Sequence, residues 1–328
     1  MGRIARSLTA SALITSACMP LPAEGQDRVG DYPLRPIRVV IGIAPGGGLD
    51  TMTRLAAQKL TELLGQTVVV DNRPGGGTVL GMDIVAHAQP DGYTLLCASE
   101  TLILNGVLRR AKYDVRQAFV PVARITAQQY MLASNPNVPV SSVKELIDLA
   151  RSKPGALAYG SPGVGTTLHV GWERMSAMAG LQLLHVPYKG GALAILDVIS
   201  GQIQMLMTTV PTVGPHVRAN KVKLIATTGP KRVPVYPETP TVSESGLPGY
   251  ELTNSYAFYA PAGTPAAIVA KVNAALVKGM RSPDTMRIVA ADGGEVAAAE
   301  SPAEFRARFV RAYAEMENTT KVANIRLD

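Results

Sequence analysis

An α/β chain folded in two lobes is what this sequence predicts, on three observations. Strand-like and helix-like runs alternate along 328 residues, 47% of them apolar, which suits two cores better than one. A glycine-rich turn between a strand and a helix occurs once in each half. Two extended stretches are placed where the chain would cross between the halves.

The chain opens with Arg3 and Arg6, a short apolar region Leu8 to Ala17, and Leu21-Pro22-Ala23, which together read as a removable export segment over residues 1–23. Loss of the two arginines takes the net charge from +7 to +5. No dense Lys/Arg block accompanies this mild basicity, so no nucleic-acid partner is expected. Cys18 lies in the export segment and Cys97 stands alone in the mature chain, which precludes an intramolecular disulfide. A lipid anchor at Cys18 is the alternative to cleavage, although Thr15 stands where a lipoprotein signal carries an apolar residue. No later stretch approaches about 18 uninterrupted apolar residues, so no spanning helix is expected.

Ile37 to Ile43 reads as a strand apolar on both faces, followed by Gly46-Gly47-Gly48 and a helix opened by Asp50 or Thr51, with Met52, Leu55, Ala56, Leu63 and Leu64 on one side. Glycines at a helix N-terminus let backbone N–H groups approach an anion closely, where the helix dipole favours it. Thr67 to Val70 is the next strand. Asn72-Arg73-Pro74 and three more glycines lead into a helix to about Ala88, and Asp91-Gly92 turns the chain into strand Tyr93 to Ala98. Phe119 to Ser134 is the first crossing.

Ser142 opens a helix with Val143, Leu146, Ile147 and Ala150 on one face. The second cradle, Tyr159 to Thr167 (YGSPGVGTT), precedes a helix with Leu168, Trp172 and Met175. A strand ending at Val186, a helix around Leu193 to Ile199 and strand Ile203 to Met207 follow. Pro230 to Pro248 reads as an irregular connector, and Leu252 to Tyr259 as the return crossing. Helices Pro265 to Met280 and Pro302 to Glu317 complete the first lobe. The expected division is 24–125 with 252–328 in one lobe and 126–251 in the other, with the ligand between the two cradles.

Catalytic and nucleotide motifs fail on spacing. Leu80 and Leu168 stand where a dinucleotide fingerprint needs its third glycine, and Thr166 stands where a P-loop needs lysine. Ser161 lies in YGSPG rather than GxSxG, and His87, His169, His185 and His216 lack metal spacing. Paired carboxylates for acid/base work are not evident. His169, just inside the helix after the second cradle, reads either as a helix-face histidine or as a ligand contact. The chemistry signalled is binding by backbone amides and hydroxyls, with no cofactor, no metal and no enzymatic turnover.

PGGGLD (45–50), NRPGGG (72–77), QPDGYTLL (89–96), KPGALAYGSPGVGT (153–166), HVPYKGG (185–191), PTVSESGLPGYE (240–251) and APAGTP (260–265) resemble, in order and spacing, the extracytoplasmic substrate-binding proteins of tripartite tricarboxylate transporters, the Bug receptors. The resemblance runs from about Tyr32 to Asp328. It implies a periplasmic, two-lobed Venus-flytrap receptor, monomeric, that captures a small organic acid and delivers it to one large and one small integral membrane subunit. Alternatives are an orphan ligand sensor on the same scaffold, or an α/β transferase or hydrolase, which would lack a nucleophile with its base.

By that resemblance the ligand meets Gly47, Gly48 and Asp50 of the first loop, the Ser99 to Asn105 loop with Ser99, Glu100, Thr101 and Asn105, and Ser161, Gly163, Gly165 and Thr166 of the second. Thr167, His169, Tyr188, Thr208, Thr209 and Tyr256 complete the expected site, with Lys189 and Phe258 as further candidates for the cleft wall. Thr208-Thr209 replace the family's usual Asp-Asn, which removes a partner for an ammonium group. Leu49 replaces a small polar residue, and Ala44 a proline. Glu100 replaces a small residue, and facing the cleft it would repel one end of a multiply charged acid.

Overall fold

Ile37, Val39 and Ile41 of the first strand enter one apolar core and Val40 enters another. In the computed structural model, which describes Gly2 and residues 30–322, this strand is β1 (Ile37–Ile41). A strand buried on both faces requires helices on both sides of its sheet, and the β-branched run supplies the contacts. On one side lie α1 (Gly48–Leu64) and α9 (Ala266–Met280); on the other lie α2 (Val79–Ala86), α3 (Thr101–Val107) and α11 (Pro302–Val322). The export segment expected over residues 1–23 falls, Gly2 apart, outside the described residues.

β2 (Val68–Asn72) and β3 (Thr94–Ala98) flank β1 in parallel. β10 (Thr253–Pro261) lies antiparallel on β3, β4 (Phe119–Gln129) on β10, and β11 (Gly294–Val296) on β4. The order β11-β4-β10-β3-β1-β2 is six strands among the described residues. Short α4 (Val115–Ala118) leads into β4, and α10 (Pro283–Ala291) precedes β11.

The second sheet has the order β7-β6-β8-β5-β9, built from β5 (Met131–Ser134), β6 (Ala158–Ser161), β7 (Leu184–Pro187), β8 (Met205–Thr208) and β9 (Lys223–Thr227). Leu132, Tyr159, Met205 and Met207 face α5 (Val143–Ser152) and α6 (Thr167–Ala179). Met131, Ala133 and Leu206 face α7 (Gly191–Ser200) and α8 (Val210–Arg218). α5 starts where the sequence indicates: the Ser142 hydroxyl accepts the Glu145 N–H at 3.2 Å while the Glu145 carboxylate accepts the Ser141 N–H, a reciprocal cap.

Several short elements differ from the expectation. The Ser99 to Asn105 loop is mostly α3, whose Leu102, Ile103 and Leu104 are all buried, so its sequence lacks the polar face that marks a surface helix. α8 contains Pro215 and carries Pro211 in its first turn, where the missing N–H costs nothing. β9, α10 and β11 also went unforeseen, and β11 has only three residues. β4 keeps residues 126–129 in the first sheet, where Gln129 pairs with Thr253, so the first crossing falls later than the expected boundary.

Tyr130 alone separates β4 from β5. Thr228, fully buried, ties this crossing to the return one. Its hydroxyl accepts the Tyr130 N–H at 2.9 Å and donates to the Leu252 carbonyl at 2.7 Å, while its backbone bonds Tyr130 and Leu252 again. Thr228→Val keeps the shape but strands the Tyr130 N–H and the Leu252 carbonyl. Urea unfolding should show a loss of about 1–3 kcal/mol, the usual cost of unmet buried polar groups; an unchanged midpoint would mean the crossings do not depend on this stitch.

Candidate functional site

The first glycine loop is shaped by Asp50, which folds back onto it. The Asp50 carboxylate accepts from the Gly46 N–H at 3.0 Å, from Arg54 Nε at 3.1 Å and from Asn72 Nδ2 at 3.0 Å, and Asn72 Nδ2 also reaches the Ile43 carbonyl. Burial works against the charged form, yet the bonds from Arg54, Gly46 and Asn72 prevail and hold the carboxyl below its ordinary range. Asp50 is thus a brace for the loop and not part of the chamber wall. With Gly47 as its N-cap and no side chain capping it, α1 leaves its N-terminal amides free toward the chamber that Gly47 and Gly48 line.

The second cradle is held from behind. Ser161 Oγ accepts the Gly163 N–H at 3.1 Å and sits 2.6 Å from His185 Nε2. Nδ1 of His169 accepts the Gly165 N–H at 3.1 Å. His169 stacks on His185 with centroids 3.9 Å apart, His185 on Tyr159 at 5.0 Å, and Tyr159 on Trp172 at 4.8 Å, making a column of four rings under the loop. In the structure the His169 ring supports the turn. Ser161, Gly163 and Gly165 likewise shape the cradle and do not line the chamber.

Between the loops lies a small chamber with a volume of about 60 Å³. On a scale where one water fills roughly 10–15 Å³, it holds about four to six waters, hence a compact ligand. Of the expected residues, Gly47, Gly48, Ser99, Thr101, Thr166, Thr167, Thr208, Thr209 and Tyr256 line it. Thr78, Tyr130, Gly191, Thr212, Ile43, Pro162 and Leu168 line it as well without having been singled out, and Leu49, noted in the sequence as a departure in the first cradle, is also there. Thr212 could have been found one helical turn after Thr209, and Thr78 directly after the third glycine cluster. Tyr130 carries no local signal, because only the crossing places it there.

The remaining expected residues serve other ends. Asn105 Nδ2 donates to the Gly77 carbonyl at 2.9 Å and to Thr78 Oγ1 at 3.1 Å, positioning the third glycine cluster. The Tyr188 hydroxyl donates to Asp197 at 2.6 Å. Glu100 turns away from the chamber and accepts from Ser255 Oγ at 3.2 Å, so it does not repel an anion there. Phe258 is fully buried in the first lobe's core, and Lys189 contributes its carbonyl, which accepts the Ala44 N–H across the seam at 2.9 Å.

Among the described residues no charged side chain lines the chamber, but ten hydroxyl-bearing residues do. The N-terminal ends of α1, α6, α7 and α8 also reach its wall, through Gly48, Thr167, Gly191 and Thr209. Each helix end carries the equivalent of about half a positive charge, so four converging ends favour an anion without a cationic side chain. The lobes touch backbone to backbone. A Cβ on Gly77 would overlap the Val164 carbonyl, and one on Gly48 would overlap the Thr209 side chain.

A family model, the tripartite tricarboxylate transporter family receptor, matches residues 52–318. A protein encoded in the tcbD-tcbE intergenic region of Pseudomonas sp. strain P51 is 35% identical over 79% of this chain and 78% of its own length. Two solved Rhodopseudomonas palustris structures share the fold. Rpa4515 with adipate is 32% identical with TM-score 0.85, covering 90% of this chain and 99% of that one. MatC with bound malate is 28% identical with TM-score 0.83, covering 88% and 99%.

Burial, then the Arg110 charge, lowers the pKa of His169 from 6.5 to about 4. Burial, then His169, does the same for His185, with Glu173 opposing. An unfolded chain therefore takes up protons below pH 6.5 that the folded one refuses. This contribution to stability is full above 6.5 and is lost as pH falls toward 4. Melting temperature should decline across that window in the wild type and less steeply in His169→Asn, whose amide oxygen can still accept from Gly165; parallel slopes would clear His169 of any part in it.

Proposed function

Since the chain belongs to the tripartite tricarboxylate transporter receptor family, we propose that it is the extracytoplasmic receptor that captures a small mono- or dicarboxylate between its lobes and presents it to a transporter. The family is one of receptors, and the chain is a receptor and not an enzyme. The single observation that carries the ligand class is the convergence of four helix N-termini and ten hydroxyl-bearing residues on a chamber without a charged wall. Such a wall holds a carboxylate by backbone N–H and O–H donors, in part through water. It offers no carboxylate to an ammonium group, since Thr208 and Thr209 stand at that end, which disfavours amino acids. The adipate and malate of the two Rhodopseudomonas structures lend the acid class support.

In this reading residues 30–129 with 253–322 and residues 131–251 move as two bodies about the crossings at Tyr130 and Leu252, which Thr228 ties together. The acid binds one loop first, and the other closes over it. The protein works in the periplasm as a monomer, and the closed surface is what one large and one small membrane subunit recognise. Among the described residues no helix is long and apolar enough to cross a membrane.

A thermal-shift panel of mono-, di- and tricarboxylates, amino acids and neutral amides tests this. A true ligand at about 100 times its Kd adds about 2.7 kcal/mol and raises the melting temperature by several degrees. Response to amides or amino acids alone would sink the carboxylate assignment. Gly77→Ala should weaken the responding acid at least tenfold, because its φ of 62° and the nearby Val164 carbonyl leave no room for a methyl group in the closed form. Undiminished affinity in that variant would mean that binding does not require closure.

A further inference from the structure

Behind the chamber, on the side of the crossings, lies a larger cavity of about 310 Å³ between α3, α6, α11 and the start of β10. Thr167 lines both spaces. Its Oγ1 is 3.1 Å from Thr101 Oγ1, and its N–H donates to Thr101 Oγ1 at 3.2 Å, so the first turn of α6 is capped by a hydroxyl from the opposite lobe. Both threonines are about 4% exposed. Their side chains stand between two spaces that differ fivefold in volume. We infer that the Thr101–Thr167 pair is a partition that sets the maximum length of the ligand, and that the cavity behind it is fitted to an apolar tail and not to a second carboxylate.

The composition of the cavity supports the second clause. Ile103, Leu104, Val170, Leu252 and Met316 give it an apolar lining, and among the described residues that line it Arg174 is the one cation. Arg174 is already engaged, donating to the Glu251 carbonyl at 3.0 Å. An alkyl chain entering from the chamber would bury apolar surface there, whereas an anionic end would meet, at Thr167 of α6, only one of the four helix N-termini that line the chamber. The chamber favours charge more than the cavity does, and Thr167 lines both.

The inference rests on the carboxylate reading, and the experiment separates the two. Straight-chain acids from acetate to decanoate, the matching α,ω-diacids and the matching 1-alkanols are titrated into wild type, Thr167→Ala and Thr167→Val by thermal shift and calorimetry. Circular dichroism checks the fold of each variant. Thr167→Ala removes the bulk but keeps the backbone bond to Thr101; Thr167→Val keeps the bulk and removes the hydroxyl. The expected result is that octanoate affinity relative to propionate rises at least tenfold in Thr167→Ala, that Thr167→Val keeps the wild-type cut-off, and that suberate gains nothing. An unchanged length profile in Thr167→Ala, a Val profile that follows the Ala one, or an equal gain for suberate would each overturn the inference. Wild-type indifference to every acid counts against the receptor reading alone, since the alkanols still report the partition. A Thr167→Ala chain that gains neither long acids nor long alcohols refutes the partition itself.

Discussion

Two glycine loops from opposite lobes meet with no side chain between them, and the rest of the site depends on that approach. Gly163 lies so close to Gly77 that a Cβ on it would be 3.3 Å from the Gly77 Cα, and Gly77 in turn faces the Val164 carbonyl. Only residues without a Cβ permit this, and at Gly77 and Gly163 the positive φ would strain any other residue as well. Backbone contact brings the N-termini of helices from both sheets onto one small volume. With side chains on the seam the lobes would stand farther apart, and a compact acid could not touch both loops at once.

The electrostatics follow from the same economy of side chains. Asp50, the acid nearest the first loop, is neutralised by Arg54 and spends its lone pairs on Gly46 and Asn72, so it fixes the loop without placing charge in the chamber. His169 and His185 are held neutral beneath the second loop, where an imidazolium could not accept the Gly165 N–H. Charge near the ligand is thereby confined to helix ends and hydroxyls. The helix ends are fixed by the backbone and need no reorganisation when an anion arrives.

The alternation of β-branched strands with amphipathic helices made both lobes legible, and the two cradles were visible because glycine clusters sit at strand-to-helix turns. Ser142 and the crossing at Phe119 to Ser134 could be read for the same local reasons. What escaped were features that exist only across the fold. α3 hides its helical character because it is buried all round. Tyr130 enters the chamber from a crossing, and Glu100 turns toward Ser255 on the neighbouring strand. The sequence marks Asp50, Asn105 and Ser161 as expected ligand contacts, but it cannot distinguish a residue that touches a ligand from one that holds the loop that does. That distinction is set by bonds to partners such as Asn72, Gly77 and His185, which lie 22 to 28 positions away.

The separation of the cores decides what drives closure. Each sheet buries its own two apolar clusters, and none of the four clusters draws residues from both sheets. Closing the lobes therefore adds little to any core. Bonds across the seam include Ala44 N–H to the Lys189 carbonyl and Thr167 N–H to Thr101, each worth only about 0.5–1.5 kcal/mol net in water. A balance made of such terms lies within reach of a single small ligand. One that binds the closed form with a preference of about 5.5 kcal/mol moves the population from 1:99 to 99:1. On the proposed receptor reading, a carboxylate bridging helix N-termini of both lobes would gain its donors only in the closed form, and the weakness of the seam would let occupancy govern closure.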